Sequence, residues 1–163
     1  MKKITNLAIV VSALAINLSA DTSDFHIGAS SAKVLEKDFT EFNIGYGANY
    51  YTKSNIYIGL ALDVAFGSVD LQNGKNATVA TSSGDLKLGY ALFENKLAVY
   101  GIGTGALQSV DSFNGAGFGY GAGVDYKITK NIALNVEYKT YDMTSEGDNY
   151  TYEKINTNFK YTF

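Results

Sequence analysis

The chain has 163 residues with no Cys, Pro or Trp, 17 Gly, 13 Tyr and 9 Phe, and its 13 basic against 16 acidic side chains give a formal charge of −3. One domain is the expectation at this length, and so much Gly and Tyr argues against a helical bundle. Absence of Cys excludes disulfides, thiolate metal sites and Cys nucleophiles, a single His excludes a His cluster, and the lack of a basic run makes nucleic acid an unsuitable partner.

Residues 1–20 read as a secretory signal: Lys2 and Lys3 precede an apolar run from Ile4 to Ile16, and Ser19-Ala20 offers a small-residue cleavage site before Asp21. The run is shorter than the roughly 20 residues a membrane helix needs. Residues 21–163 are then one domain with net charge −5, two Lys having left with the signal.

Along that domain apolar residues recur with period two, the mark of strands with one greasy face. Phe25, Ile27 and Ala29 oppose His26, Gly28 and Ser30 in a short first strand. Phe42 to Tyr50 follows, then Ile56 to Phe66 with Asp63 on the polar side, then Leu86 to Leu92 with Asp85 and Lys87 on the polar side. Residues 97–108 are apolar on both faces. Their phase is set here by matching Gly101, Gly103 and Gly105 to the glycine face of the next strand, which puts Tyr100, Ile102 and Thr104 on the apolar side. Phe118 to Ile128 opposes Gly117, Gly119, Gly121, Gly123, Asp125 and Lys127. Ile132 to Tyr138 opposes Glu137 and Lys139, and Ile155, Thr157, Phe159, Tyr161 and Phe163 oppose Lys160 and three Asn or Thr residues. Short turns near Thr52–Asn55, Glu94–Lys96 and Thr129–Asn131 alternate with longer segments at Lys33–Asp38, Gly67–Ser83, Ser109–Asn114 and Met143–Thr151, expected to be loops. Eight strands with turns at one end and loops at the other predict an all-β, antiparallel up-and-down barrel.

Size decides which face is inside. An eight-stranded barrel is only just wide enough for side chains to fill, so the large apolar residues belong outside, facing lipid. The lumen then holds Asp63, Asp85, Asp125 and Glu137 with Lys87, Lys127, Lys139 and Lys160, four charges of each sign expected to pair among Asn43, Asn49, Asn135, Asn156 and Asn158. Closing the barrel satisfies every strand hydrogen bond in hydrocarbon.

With this pattern the chain resembles the small outer-membrane β-barrel proteins of Gram-negative bacteria, the family of the OmpA transmembrane domain and the OmpX and opacity-type proteins. The resemblance covers residues 25–163, and its most specific element is the last strand with Phe159, Tyr161 and Phe163 on one face. It implies an outer-membrane location with both termini periplasmic, contact with outer-membrane lipid and lipopolysaccharide, and recognition of the terminal aromatic by the barrel assembly machinery. A fold alone does not fix a function. The leading expectation is a monomeric structural or surface-interacting barrel whose loops meet a host or surface ligand. A narrow passive pore, thinned by the glycines, is the alternative. A lipid-modifying enzyme is less favoured, because family enzymes use a His with Ser or acidic partners, and here His26 has Ser30 and Ser31 near it but no acid is read as its partner. No catalytic residue, metal or cofactor is expected.

Overall fold

A computed structural model of the chain describes residues 20–34, 36–71, 75–110, 113–145 and 147–163. The expected signal segment, apart from Ala20, lies outside the described residues. Eight strands run β1 (Thr22–Val34), β2 (Lys37–Tyr51), β3 (Ile56–Leu71), β4 (Lys75–Leu92), β5 (Leu97–Val110), β6 (Phe113–Lys127), β7 (Ile132–Ser145) and β8 (Asp148–Thr162). Each pairs antiparallel with the next, and β8 pairs with β1, so the sheet closes into a barrel.

The register fixes the geometry. Following Cα partners once around from Asp24 leads through Gly47, Ala61, Asp85, Thr104, Gly119, Tyr141 and Tyr152 to Val34, ten residues further along β1. With ordinary strand rise and spacing this displacement tilts the strands by about 40° from the barrel axis. Each residue then climbs ~2.5 Å. The outward apolar row of β3, from Ile56 to Phe66, therefore spans about 25 Å, the height of an outer-membrane apolar band.

Outward residues in this band are exposed apolar side chains on nearly every strand: Phe42 and Ile44 on β2, Leu86 and Leu88 on β4, Phe118 and Tyr120 on β6, Ile155 and Phe159 on β8. Their opposites along each strand are buried or, at glycines such as Gly119 and Gly121, half-buried. The pattern is the reverse of a water-soluble domain, and it holds only over the band.

Above it the phase inverts. Past Phe66 the outward positions of β3 are Ser68 and Asp70, while inward Val69 is fully buried. Ala32, Val34, Phe39, Val69, Ala77, Val79, Ala106, Val110, Met143, Tyr141 and Tyr152 pack as an apolar cluster inside this end of the barrel. A polar wall around an apolar interior is how a β protein sits in water, so the strands continue beyond the membrane as a crown. This corrects the expectation of a long loop at Gly67–Ser83. Those residues pair from Gly67↔Val79 to Leu71↔Lys75, and the connection between β3 and β4 is confined to 72–74. Lys33↔Asp38, Ser109↔Asn114 and Thr144↔Asn149 are likewise ladder pairs rather than loop residues.

The second correction concerns β5. Gly101 and Gly103 face outward and exposed, whereas Tyr100, Ile102 and Thr104 are buried inside. Paired residues share a face, and Gly103 is opposite Tyr120, not a β6 glycine. The glycine match used to set the phase therefore had no physical basis. The outward glycines also differ in kind from the inward ones. A Cβ on Gly103 would meet nothing within 4 Å, but one on Gly121 would come within 2.1 Å of the Tyr138 carbonyl oxygen. At Gly121 the neighbouring backbone excludes a side chain.

Candidate functional site

The interior is filled in three layers. At the periplasmic end Tyr57, Ala91, Ala98, Tyr100 and Ile102 pack with Tyr51. The Tyr51, Tyr57 and Tyr100 rings follow one another at 5.4 and 5.1 Å between centroids. At the opposite end lies the apolar crown cluster, with the Tyr141 and Tyr152 rings stacked at 5.2 Å. Between them sits a belt of buried charge.

The belt can be traced as a closed circuit. His26 Nδ1 lies 3.1 Å from Asp24 Oδ1, and its Nε2 lies 2.7 Å from Asp63 Oδ1. Asp63 Oδ2 is 3.6 Å from Lys139 Nζ, which is 3.0 Å from Glu137 Oε2 and also donates to Asp85. Glu137 Oε1 accepts from Lys87 Nζ at 2.5 Å and lies 2.9 Å from the Tyr100 hydroxyl. That hydroxyl is 2.9 Å from Asp125 Oδ1 and accepts from the Asn135 amide at 2.7 Å. Lys160 closes the circuit, 2.8 Å from Asp125 Oδ2 and 3.2 Å from Asp24 Oδ2. Every member is nine-tenths buried or more.

Asparagines complete the valences, as buried polar groups require. Asn49 donates to Asp24 at 2.7 Å, and Asn158 donates to the Asn135 side-chain oxygen at 2.9 Å. Ser30 reaches the side-chain oxygens of Asn43 and Asn156. Inward glycines make the room: a Cβ on Gly123 would press on both Tyr100 and Glu137, within 2.6 and 2.8 Å.

Of the eight charged residues read from the sequence, Asp63, Asp85, Lys87, Asp125, Glu137, Lys139 and Lys160 meet in this belt. Lys127 does not. It is half-buried at the periplasmic end, with its ammonium 4.7 Å from the Tyr51 ring centroid. Alternation alone does not reveal every inward charge. Asp24 is the acid partner of His26, two residues away and of the same parity. Above the belt, Glu41 and Lys154 are buried in the crown layer, where the Tyr152 hydroxyl donates to Glu41 at 2.6 Å and Lys154 lies 5.8 Å from the Tyr152 ring centroid. Tyr100, expected on the lipid face, points into the lumen. The signal that could have placed it was Gln108, which shares its parity and hydrogen-bonds inside to Thr81 at 3.0 Å.

Each ring nitrogen of His26 is taken by a carboxylate, so its side chain presents no free nitrogen to Ser30 or Ser31. Among the described residues no group of three or more His, Asp or Glu is arranged to hold a metal ion. Of the aromatic residues on the last strand, Phe159 and Tyr161 project outward. Phe163 is bound through its backbone to Ser23 at 2.9 and 3.3 Å, and its ring lies 6.3 Å from that of Tyr46.

A closed sheet with an apolar outer band and a charged, hydrogen-bonded interior defines a transmembrane β-barrel. The model of the outer membrane protein beta-barrel domain family matches residues 7–163, and the chain belongs to that family. It is an outer-membrane surface barrel crossing with eight strands and with periplasmic termini. Among solved structures it is similar to the attachment invasion locus protein Ail of Yersinia pestis, in complex with the heparin analogue sucrose octasulfate, at 16% identity and a TM-score of 0.60, covering 89% of this chain and 100% of that one. Neisserial surface protein A is similar at 15% identity and 0.59, covering 87% and 96%. A major outer membrane protein of Thermus thermophilus is similar at 12% and 0.59, covering 86% and 99%. At these identities the likeness concerns the fold. No curated protein matches the chain.

Proposed function

We propose that this barrel is a rigid, sealed pedestal that presents its crown to ligands outside the cell. The observation that carries this reading is the three-layer filling: aromatic below, charged in the middle, apolar above, with buried side chains at every level. A lumen filled so leaves little room for a passive pore: the crown layer holds the apolar cluster with Val34, Val69 and Val79, and the polar side chains there, Glu41 among them, are buried too. Function then falls to the outer wall of the crown and its hairpin tips.

Ail is an attachment protein crystallised with a polyanion. The crown here carries Lys33 and Lys37 against Glu36, Asp38, Asp70, Asp142, Asp148 and Glu153. That acidic excess suits a neutral or cationic surface better than a heparin-like one. Contact with lipopolysaccharide at the base of the crown, export by a signal in residues 1–20, and assembly through Phe159, Tyr161 and Phe163 belong to the same proposal, as does a monomeric state.

The test replaces Ser68–Thr78 by a tight turn that keeps the membrane band, and compares host-cell or matrix adhesion of bacteria carrying each form. Loss of adhesion with the barrel still folded supports the reading. Equal adhesion, or reproducible conductance steps from purified protein in a planar bilayer, overturns it.

A further inference from the structure

The belt contains one cation that differs in kind from the lysines. A carboxylate only accepts hydrogen bonds, and His26 has one on each ring nitrogen, at 3.1 Å and 2.7 Å. A neutral imidazole has a single N–H, so satisfying both contacts takes the doubly protonated ring. The charge inventory agrees: among the described residues the lysines within ion-pair distance of Asp24, Asp63, Asp85, Asp125 and Glu137 are Lys87, Lys139 and Lys160. A protonated His26 is the fourth cation.

The reach of the contact is also unusual. Asp24 and Ser30 bond to paired neighbours of β1: Asp24 to Asn49 of β2 and Lys160 of β8, Ser30 to Asn43 of β2 and Asn156 of β8. His26 instead crosses β2 to reach Asp63 on β3. Gly45 makes the crossing feasible, since a Cβ there would come within 2.2 Å of Nε2. No titratable side chain of β2 faces the ring. The charged groups around it are Asp24 on its own strand, Asp63 from β3, Lys160 of β8, which is paired with His26 in the ladder and held by Asp24, and Lys139 and Glu137 of β7 through Asp63.

We propose that His26 is an imidazolium clasp that fastens the first strand to β3 over β2, and that the barrel is held there by both of its ring N–H groups. In a neutral ring one nitrogen lone pair would face a carboxylate lone pair, and Asp63 would keep only Lys139, at 3.6 Å.

The chain has one His, so its imidazole signals in a ¹⁵N-labelled barrel in micelles need no assignment. Both ring nitrogens are expected to carry protons at pH 7.5. His26→Gln, which carries no charge, should lower the folding equilibrium constant at pH 7.5 about tenfold or more, the scale of one charge-assisted hydrogen bond. In the variant hydrogen exchange should quicken first along β1. A neutral ring with one bare nitrogen at pH 7.5 overturns the proposal even where the variant does not fold. So does a variant as stable as the wild type.

Discussion

Glu137 is the most heavily used acid of the belt, and Glu137→Leu tests what the belt contributes. The substitution removes the acceptor for Lys87 at 2.5 Å, Lys139 at 3.0 Å and the Asn135 amide at 3.2 Å, and the neighbour of the Tyr100 hydroxyl at 2.9 Å. Lys139 keeps Asp85, but among the described residues Glu137 is the one carboxylate within ion-pair distance of Lys87, whose side chain is 4% exposed. The stranded charge decides the size of the effect. Breaking a buried pair by removing one partner costs about 3–5 kcal/mol. With a urea slope of about 1–3 kcal/mol/M, the midpoint in micelles should fall by roughly 1–5 M. Adding Lys87→Met removes the stranded ammonium, and since burying an ion pair is itself costly, the double variant should recover most of the loss. Far-UV circular dichroism and the mobility shift of unboiled barrels on gels read both transitions. An unchanged midpoint in Glu137→Leu, or a double variant as weak as the single, would refute the reasoning.

Tyr100→Phe should cost about 1.5–3 kcal/mol in the same assay, because it removes a buried hydroxyl hydrogen-bonded to a carboxylate, with Glu137 and Asp125 each 2.9 Å away; a neutral result would return Tyr100 to the lipid face. Gly103→Val should fold as well as wild type or slightly better, whereas Gly121→Val should abolish the heat-modifiable band, given the 2.1 Å approach to the Tyr138 carbonyl oxygen. In the crown, Val69→Asp places an unpaired charge in an apolar cluster and should cost several kcal/mol, while Ser68→Asp on the wet face should change the midpoint by less than about 0.5 kcal/mol.

Where one face had to meet lipid, alternation in the sequence carried the fold. Ile56 to Phe66 and Ile155 to Phe163 needed nothing but period two to be placed. The strand number and the direction of their greasy faces follow from such runs, since a small lumen cannot hold so many rings. The crown was illegible for the same reason the band was legible. Val69 and Val79 are apolar and inward, Ser68 and Thr78 polar and outward, so the inverted phase reads as a mixed loop when only one solvent is assumed. In β5 both faces are apolar between Leu97 and Ile102, and the phase is set by the ladder with β6 that closes at Val110↔Phe113 and by where Thr104 and Gln108 find partners. Neither is a local property of the run. The circuit of charges depends on proximity across the lumen, as between Lys87 and Glu137, 50 positions apart. Composition can supply its members but not their pairing.

The account rests on the outward face of each strand meeting lipid up to Phe66 and water beyond it. Because the chain lacks Cys, single cysteines placed one at a time from Ile56 to Asp70 can carry a nitroxide label in vesicles. Collision with oxygen, which concentrates in hydrocarbon, should peak at 58, 60, 62, 64 and 66. Collision with a water-soluble nickel complex should take over at 68 and 70, and 57, 61, 65 and 69 should be shielded from both. Oxygen contact at the odd positions, or nickel access throughout the even ones, would contradict it.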